Sequence, residues 1–190
     1  KRMIKELKDF DWDIYGLSKD DFEYTLRLIK EIIADRQSQL QIQIDNIEVY
    51  DEKGNLLDNS TGIADEAISD IAYYNYIDNL YLWSFGLWRL QGIFEGILKQ
   101  EFFPDKRLVG LKSKLDFIQK EEYEISSLDY KELIAWGELR NALSHFPPEQ
   151  YRPIGLDDKD LEEYIELISR VVDNLIEQKK DLKIQKVNLI

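Results

Sequence analysis

Apolar residues that recur at three- and four-residue steps restrict the fold of this chain more than any other feature of its sequence. One such run extends from about Ser18 to Ile47, and another begins near Asp157 and Asp158 and continues past Leu175. This period places the apolar side chains on one face of a helix. No run alternates convincingly between apolar and polar residues, apart from a short stretch near the C-terminus. We therefore predict an all-α fold, an antiparallel bundle of four to five helices.

Turn-forming residues separate the predicted helices. The segment from about residue 48 to 62 contains a cluster of Asp, Glu, Lys and Gly, which predicts a loop or a small hairpin between the first two long helices. A fourth helix should run from about Asp129 to Phe146, because the two prolines that follow cannot continue it. At 190 residues the chain fits a single domain, in which 1–17 form an N-terminal arm and 183–190 a C-terminal tail.

The second long helix is predicted over about residues 65–103. It is apolar almost all round, so we expect it to be surrounded by partner helices. Its charged and amide side chains argue against a membrane span, and no membrane partner is expected. For Arg89 we expect an ion pair with a carboxylate such as Asp78, or else a place in a cleft. The aromatic side chains of this helix, predicted to be core, include Tyr73, Tyr74, Tyr76, Trp83, Phe85 and Trp88.

Composition excludes several kinds of chemistry. The chain has no cysteine and one histidine, so disulfides, thiolate nucleophiles, Cys-ligated metals and multi-histidine metal sites are excluded. Only carboxylate-rich metal sites remain open, and we predict neither a metal site nor a cofactor. The missing cysteines fit a reducing cytoplasm.

The net charge of −13 means that any contact with phosphate must be local. Residues 99–120 form the one basic segment, with a local charge of +3. It is either a solvated helix with its connecting loop or a weak substrate-binding surface. The candidate substrate contacts are Lys106, Arg107, Lys112 and Lys114.

One short stretch combines residues suited to catalysis. Arg140, Asn141 and His145, the sole histidine, lie within one and a half predicted helical turns. Asn141 precedes His145 by four residues and can orient the imidazole, whereas Arg140 lies ~140° around the helix and can line a wider cleft. A histidine that titrates near neutrality suits general acid–base catalysis. Glu138 is either a solvated surface acid or a group that orients the cluster, and Ser144 is a further polar neighbour that can support it.

The run from Arg140 to His145, late in an acidic helical chain and followed by one more long helix, resembles the R-N-x-x-x-H motif of HEPN-domain ribonucleases. The resemblance implies a HEPN-like bundle and a homodimer whose composite active site holds both motif helices. It implies metal-independent cleavage of RNA, in which the 2′-OH attacks the adjacent phosphorus and leaves a 2′,3′-cyclic phosphate. In that reaction His145 is the acid or base and Arg140 stabilises the phosphate charge. Such proteins are often toxins or phage-defence effectors, so a cognate antitoxin or inhibitor protein is an implied partner.

Two alternatives come from other functional classes. Some HEPN domains are noncatalytic modules for dimerisation or interaction. The charge of −13 also suits an acidic helical antitoxin or inhibitor that occupies a basic partner. The chain departs from one HEPN branch, whose members carry Tyr two residues after the motif histidine, because Pro147 stands there. Modification of a tyrosine at that position is therefore not expected.

Overall fold

The computed structural model describes residues 16–48, 50–56, 63–144 and 155–187. Within these ranges the chain forms helices and no strand, which confirms the all-α prediction. The helices are α1 (Asp20–Asp45), α2 (Ile63–Phe102), α3 (Leu111–Lys120), α4 (Ser127–Ser144) and α5 (Asp158–Val187).

The core is built around the second half of α2. From Leu87 to Leu98 this helix buries side chains on several faces, against α1, α3, α4 and α5. Gly86 permits a close approach of α5, because a Cβ atom there would come within 2.6 Å of Leu161 Cδ1. The predicted apolar face of α5 is confirmed, since Leu161, Ile168, Val172 and Leu175 are buried and Ile165 is partly buried.

The first half of α2 differs from the prediction. No described side chain from residue 65 to 85 is buried, and the same holds for residues 34–45 of α1. The expectation that α2 is surrounded throughout is therefore wrong for this half. The physical reason is length: α2 has 40 residues, whereas α3 has 10 and α4 has 18, so the shorter helices cover only part of it. Its exposed aromatic residues are Tyr73, Tyr74, Tyr76, Tyr81 and Phe85.

The expected ion pair between Arg89 and Asp78 does not form. Asp78 pairs instead with Arg36 of α1, while Arg89 is exposed. The two α2 residues are about three helical turns apart, too far for contact, whereas α1 runs antiparallel beside α2.

Between α1 and α2, where a loop or small hairpin is predicted, the structure describes residues 46–48 and 50–56. A single antiparallel bridge joins Tyr50 and Leu56, and the Asp51 backbone N–H donates to the Asn55 carbonyl oxygen at 2.8 Å. At the other end of the chain, α5 continues to Val187 and so enters the segment predicted as a tail. Most of the predicted N-terminal arm lies outside the described residues.

Candidate functional site

The start of α4 is fixed by a capping arrangement. Ser126 Oγ accepts a hydrogen bond from the Asp129 N–H at 3.0 Å and donates one to Asp129 Oδ2 at 2.8 Å. Arg170 of α5 pairs with Asp129 Oδ1 at 2.7 Å, and these contacts lower the pKa of the Asp129 carboxyl. Further along α4, the Leu133 side chain is buried in the core. The helix that carries the motif is therefore held at its N-terminus and along its inner face.

Arg140 lines a cavity of about 490 Å³ between α2, α3 and α4. Its Nη1 donates a hydrogen bond to Asn141 Oδ1 at 3.0 Å. Its Nε is buried and has no acceptor among the described residues, and no described carboxylate forms an ion pair with this guanidinium. An arginine has five N–H donors, so most of its hydrogen-bonding capacity remains unused within the described structure.

An ion pair lies beside Arg140 on the wall of the cavity. Glu95 of α2 pairs with Lys114 of α3, and both side chains are largely buried, with exposed fractions of 18% and 13%. Gln91, one turn earlier on α2, donates from Nε2 to Glu95 Oε1 at 2.8 Å. The charge of Glu95 is thus balanced by Lys114, and the positive charge of Arg140 is left without a direct carboxylate partner in the described part of the chain.

Tyr164 of α5 completes the polar cluster. It is fully buried, and its ring packs on Trp136 with 5.0 Å between centroids. Burial raises the pKa of the Tyr164 phenol, the charge of Glu95 raises it further, and Arg140 acts in the opposite direction. The phenol is therefore neutral at physiological pH. Its hydroxyl has no partner among the described residues, and the same is true of Gln91 Oε1.

Six buried side-chain polar atoms have no partner among the described residues, and three of them belong to this cluster: Gln91 Oε1, Arg140 Nε and Tyr164 Oη. Buried polar groups are usually hydrogen-bonded, because an unsatisfied one costs about 1–3 kcal/mol. A cluster of such groups beside a cavity is typical of a site completed by water or a ligand. The arrangement can bind an anion at Arg140 and offers further polar groups behind it.

The structure brings together some of the sequence-predicted residues. Asn141 is exposed and bonded to Arg140, and Glu138 is exposed on the cavity lining. Ser144 Oγ donates to the Arg140 carbonyl oxygen at 2.8 Å, a bond from a side chain to the backbone of the same helix. His145 lies outside the described residues, so its placement stays a prediction.

The four predicted basic contacts divide into two pairs. Lys112 is exposed on the cavity lining. Lys114 does not line the cavity but forms an ion pair with Glu95, which does. Gly110, with φ of 79°, allows the turn that begins α3 at this cavity. Lys106 and Arg107 do not line the cavity; Lys106 lies over the Phe117 ring at 4.0 Å.

Sequence reasoning missed Gln91, Glu95 and Tyr164 as parts of this site. A usable signal existed for the first two, because an amide and an acid four residues apart in an otherwise apolar helix can bond to each other. No such signal marks Tyr164, which lies on the apolar face of α5 like any core residue.

Within the described ranges, no group of three or more His, Asp or Glu side chains could hold a metal ion. No helix there is both long and apolar enough to cross a membrane. No protein-family model matches the sequence, and no curated protein or solved structure matches it.

Proposed function

We propose that this chain is a metal-independent endoribonuclease of the HEPN type, in which Arg140 and His145 are the catalytic residues. One observation carries the proposal: Arg140 is oriented by Asn141 on the wall of a cavity and has donors without a described partner. A guanidinium with unused parallel donors matches the geometry of a phosphate group. The short sequence from Arg140 to His145 supplies the acid–base group beside it.

The proposed reaction is an internal transfer at phosphorus. A base takes the proton of the RNA 2′-OH, and the 2′-oxygen forms a bond to the adjacent phosphorus. The bond from phosphorus to the 5′-oxygen breaks, and an acid supplies that oxygen with a proton. The products are a 2′,3′-cyclic phosphate and a 5′-OH, and no water or metal is consumed. Arg140 stabilises the negative charge that builds on the phosphate oxygens.

A homodimer would supply both proton-transfer groups. The chain has one histidine, so His145 of one copy can serve as base and His145 of the other as acid. Lys112, exposed on the cavity lining, is the described cation best placed to meet a neighbouring phosphate. The role proposed for the protein is a toxin or phage-defence effector in the cytoplasm, held in check by a cognate inhibitor protein.

The test is cleavage of a fluorescent RNA by the purified protein in EDTA. We expect cleavage that leaves a 5′-OH, which polynucleotide kinase can label, and no cleavage of the same strand made as DNA. His145→Ala should abolish the reaction and Arg140→Ala should slow it at least ~100-fold. Arg89→Ala, which removes an exposed arginine outside the cavity lining, is the matched control and should cleave normally.

The same assay distinguishes the proposed nuclease from a noncatalytic HEPN-like module. A HEPN-like interaction module would form a stable dimer and leave RNA intact even at equimolar protein. Mass spectrometry of the purified sample would first show whether an inhibitor protein is bound.

A further inference from the structure

Residues 34–85, here called the acidic extension, are the part of the described structure in which the bundle buries no side chain. Its described parts are the second half of α1, residues 46–48 and 50–56, and the first half of α2. None of its described side chains is buried. Its contacts with the bundle lie at the end nearest the core, where Leu80 faces Gly155 and Trp83 packs against core side chains. The rest of its two helices has no buried side chain among the described residues, although most helical stability in proteins comes from tertiary burial.

Aromatic side chains are concentrated on this uncovered region. Tyr73, Tyr74, Tyr76, Tyr81 and Phe85 are each more than half exposed. Tyr74, Tyr81 and Phe85 follow one another at seven and four residues and so share a face of α2. Tyrosine and phenylalanine are enriched in the cores of protein interfaces, and a contiguous exposed patch of them marks an interaction surface.

The charge of the acidic extension selects the kind of partner. It carries −8 of the total charge of −13. It contains two cations, Arg36 and Lys53. Because Arg36 is paired with Asp78, Lys53 is the one cation of the region outside the described ion pairs. Such a surface repels nucleic acid and anionic lipid. It also repels a second copy of itself, because each copy carries a charge of −8 in this region. A basic partner is attracted, and arginine additionally binds to the faces of exposed tyrosines.

We propose that the acidic extension is a docking surface for a basic protein whose apolar contact area is flanked by lysine and arginine. The stripe of Tyr74, Tyr81 and Phe85 supplies the apolar contact. Asp65, Glu66 and Asp70 lie on the exposed N-terminal part of the same helix and supply the charge complement. This interaction is independent of the proposed RNA cleavage.

The experiment compares two synthetic helical peptides that share one apolar face and differ only in flanking arginine or glutamate. Binding to the full chain is followed by fluorescence anisotropy, and NMR shift perturbation maps the site. We expect the arginine peptide to bind with perturbations confined to the acidic extension, and to bind more weakly as salt rises. The glutamate peptide should bind at least tenfold more weakly.

Variants separate the two contributions. The double variant Tyr74→Ala with Tyr81→Ala should bind the arginine peptide at least tenfold more weakly. The triple variant Asp65→Lys with Glu66→Lys and Asp70→Lys should weaken binding as much, because it reverses the charge of the surface. Tyr24→Ala is the matched control, because Tyr24 is 55% exposed and lies outside the acidic extension. Circular dichroism checks that each variant is folded.

Three results would overturn the proposal. One is equal binding of both peptides, or binding of neither. Another is binding that the aromatic and charge variants leave unchanged. The third is a dimer, seen by sedimentation, that Tyr74→Ala with Tyr81→Ala converts to monomer, since a second copy would then be the occupant.

Discussion

At the scale of single residues, Arg140 and Lys114 are two cations with opposite environments: Arg140 lines the cavity, and Lys114 pairs with Glu95, which also lines it. Lys114 is paired with Glu95, so its charge is compensated within the fold. Arg140 bonds to the neutral amide of Asn141, and its Nε has no described acceptor. The charge of Lys114 is therefore compensated within the fold, whereas Arg140 has no carboxylate partner among the described residues.

Replacing Arg140 with lysine should impair catalysis nearly as much as alanine does. Lysine keeps the charge but lacks the planar fork that bonds two phosphate oxygens at once. We expect kcat/KM for RNA to fall at least ~30-fold, with an unchanged circular dichroism spectrum. Full activity of the Arg140→Lys protein would show that only a positive charge is needed there.

Lys114→Met should destabilise the fold, because it leaves the largely buried Glu95 carboxylate without its cation. The expected loss is about 2–3 kcal/mol in urea unfolding, somewhat below the cost at a fully buried pair. The control is Arg27→Met, which breaks the exposed Arg27–Glu31 pair of side chains 68% and 65% exposed. That change should cost no more than about 0.5 kcal/mol. Equal effects of the two variants would mean that Glu95 does not depend on Lys114.

At the scale of elements, α4 matters because its fixed N-terminus determines where Arg140 lies. Asp129 sits in the first turn, accepts a hydrogen bond from Ser126 Oγ and pairs with Arg170. A carboxylate at this end of a helix is also favoured by the helix dipole. Since these contacts require the ionised form, they lower the pKa of Asp129 in the folded state.

The contribution of Asp129 should therefore depend on pH. It is fully present above the ordinary carboxyl pKa of 3.8 and is lost as the pH falls below that value toward the lowered pKa. We expect Asp129→Asn to cost about 1 kcal/mol at pH 7 and the difference from wild type to shrink below about pH 4. Urea unfolding at a series of pH values measures this, with Glu163→Gln on the exposed side of α5 as control. A difference that grows on acidification would contradict the assignment.

The elements also show how far the sequence predicts the structure. Helical periodicity predicts α1 and α5, and the two prolines after Phe146 predict α4, although α5 continues to Val187 within the predicted tail. It does not show how much of α2 the bundle covers, because an apolar helix has the same sequence pattern whether or not neighbouring helices pack against it. Tyr73 and Tyr74 were expected in the core for this reason, and they are exposed. Within the site, the local motif predicts Arg140 and Asn141, whereas the Glu95–Lys114 pair depends on a contact between different helices.

At the scale of the whole molecule, the negative charge is distributed unevenly along the chain. Residues 34–85 carry −8, whereas residues 99–120, which include α3 at the cavity, carry +3. An RNA strand would accordingly be attracted only near the cavity, through very few phosphates.

Binding of single-stranded RNA should therefore depend weakly on salt. Each neutralised phosphate contributes a slope of about −0.7 to log K against log salt concentration, so contacts to two or three phosphates predict a slope of about −2. Fluorescence anisotropy with an RNA strand made noncleavable by 2′-O-methyl groups measures it. A slope near that of a general nucleic-acid binder, about −6 or steeper, would contradict local recognition at Arg140.

The central claim is that Arg140 and His145 cleave RNA without a metal, and single-turnover cleavage in EDTA tests it most directly. The proposal predicts products with a 2′,3′-cyclic phosphate and a 5′-OH, formed by the wild-type and Arg89→Ala proteins and not by His145→Ala. Intact RNA at equimolar, inhibitor-free wild-type protein would contradict it. So would cleavage that requires added Mg²⁺, or cleavage that His145→Ala leaves unchanged.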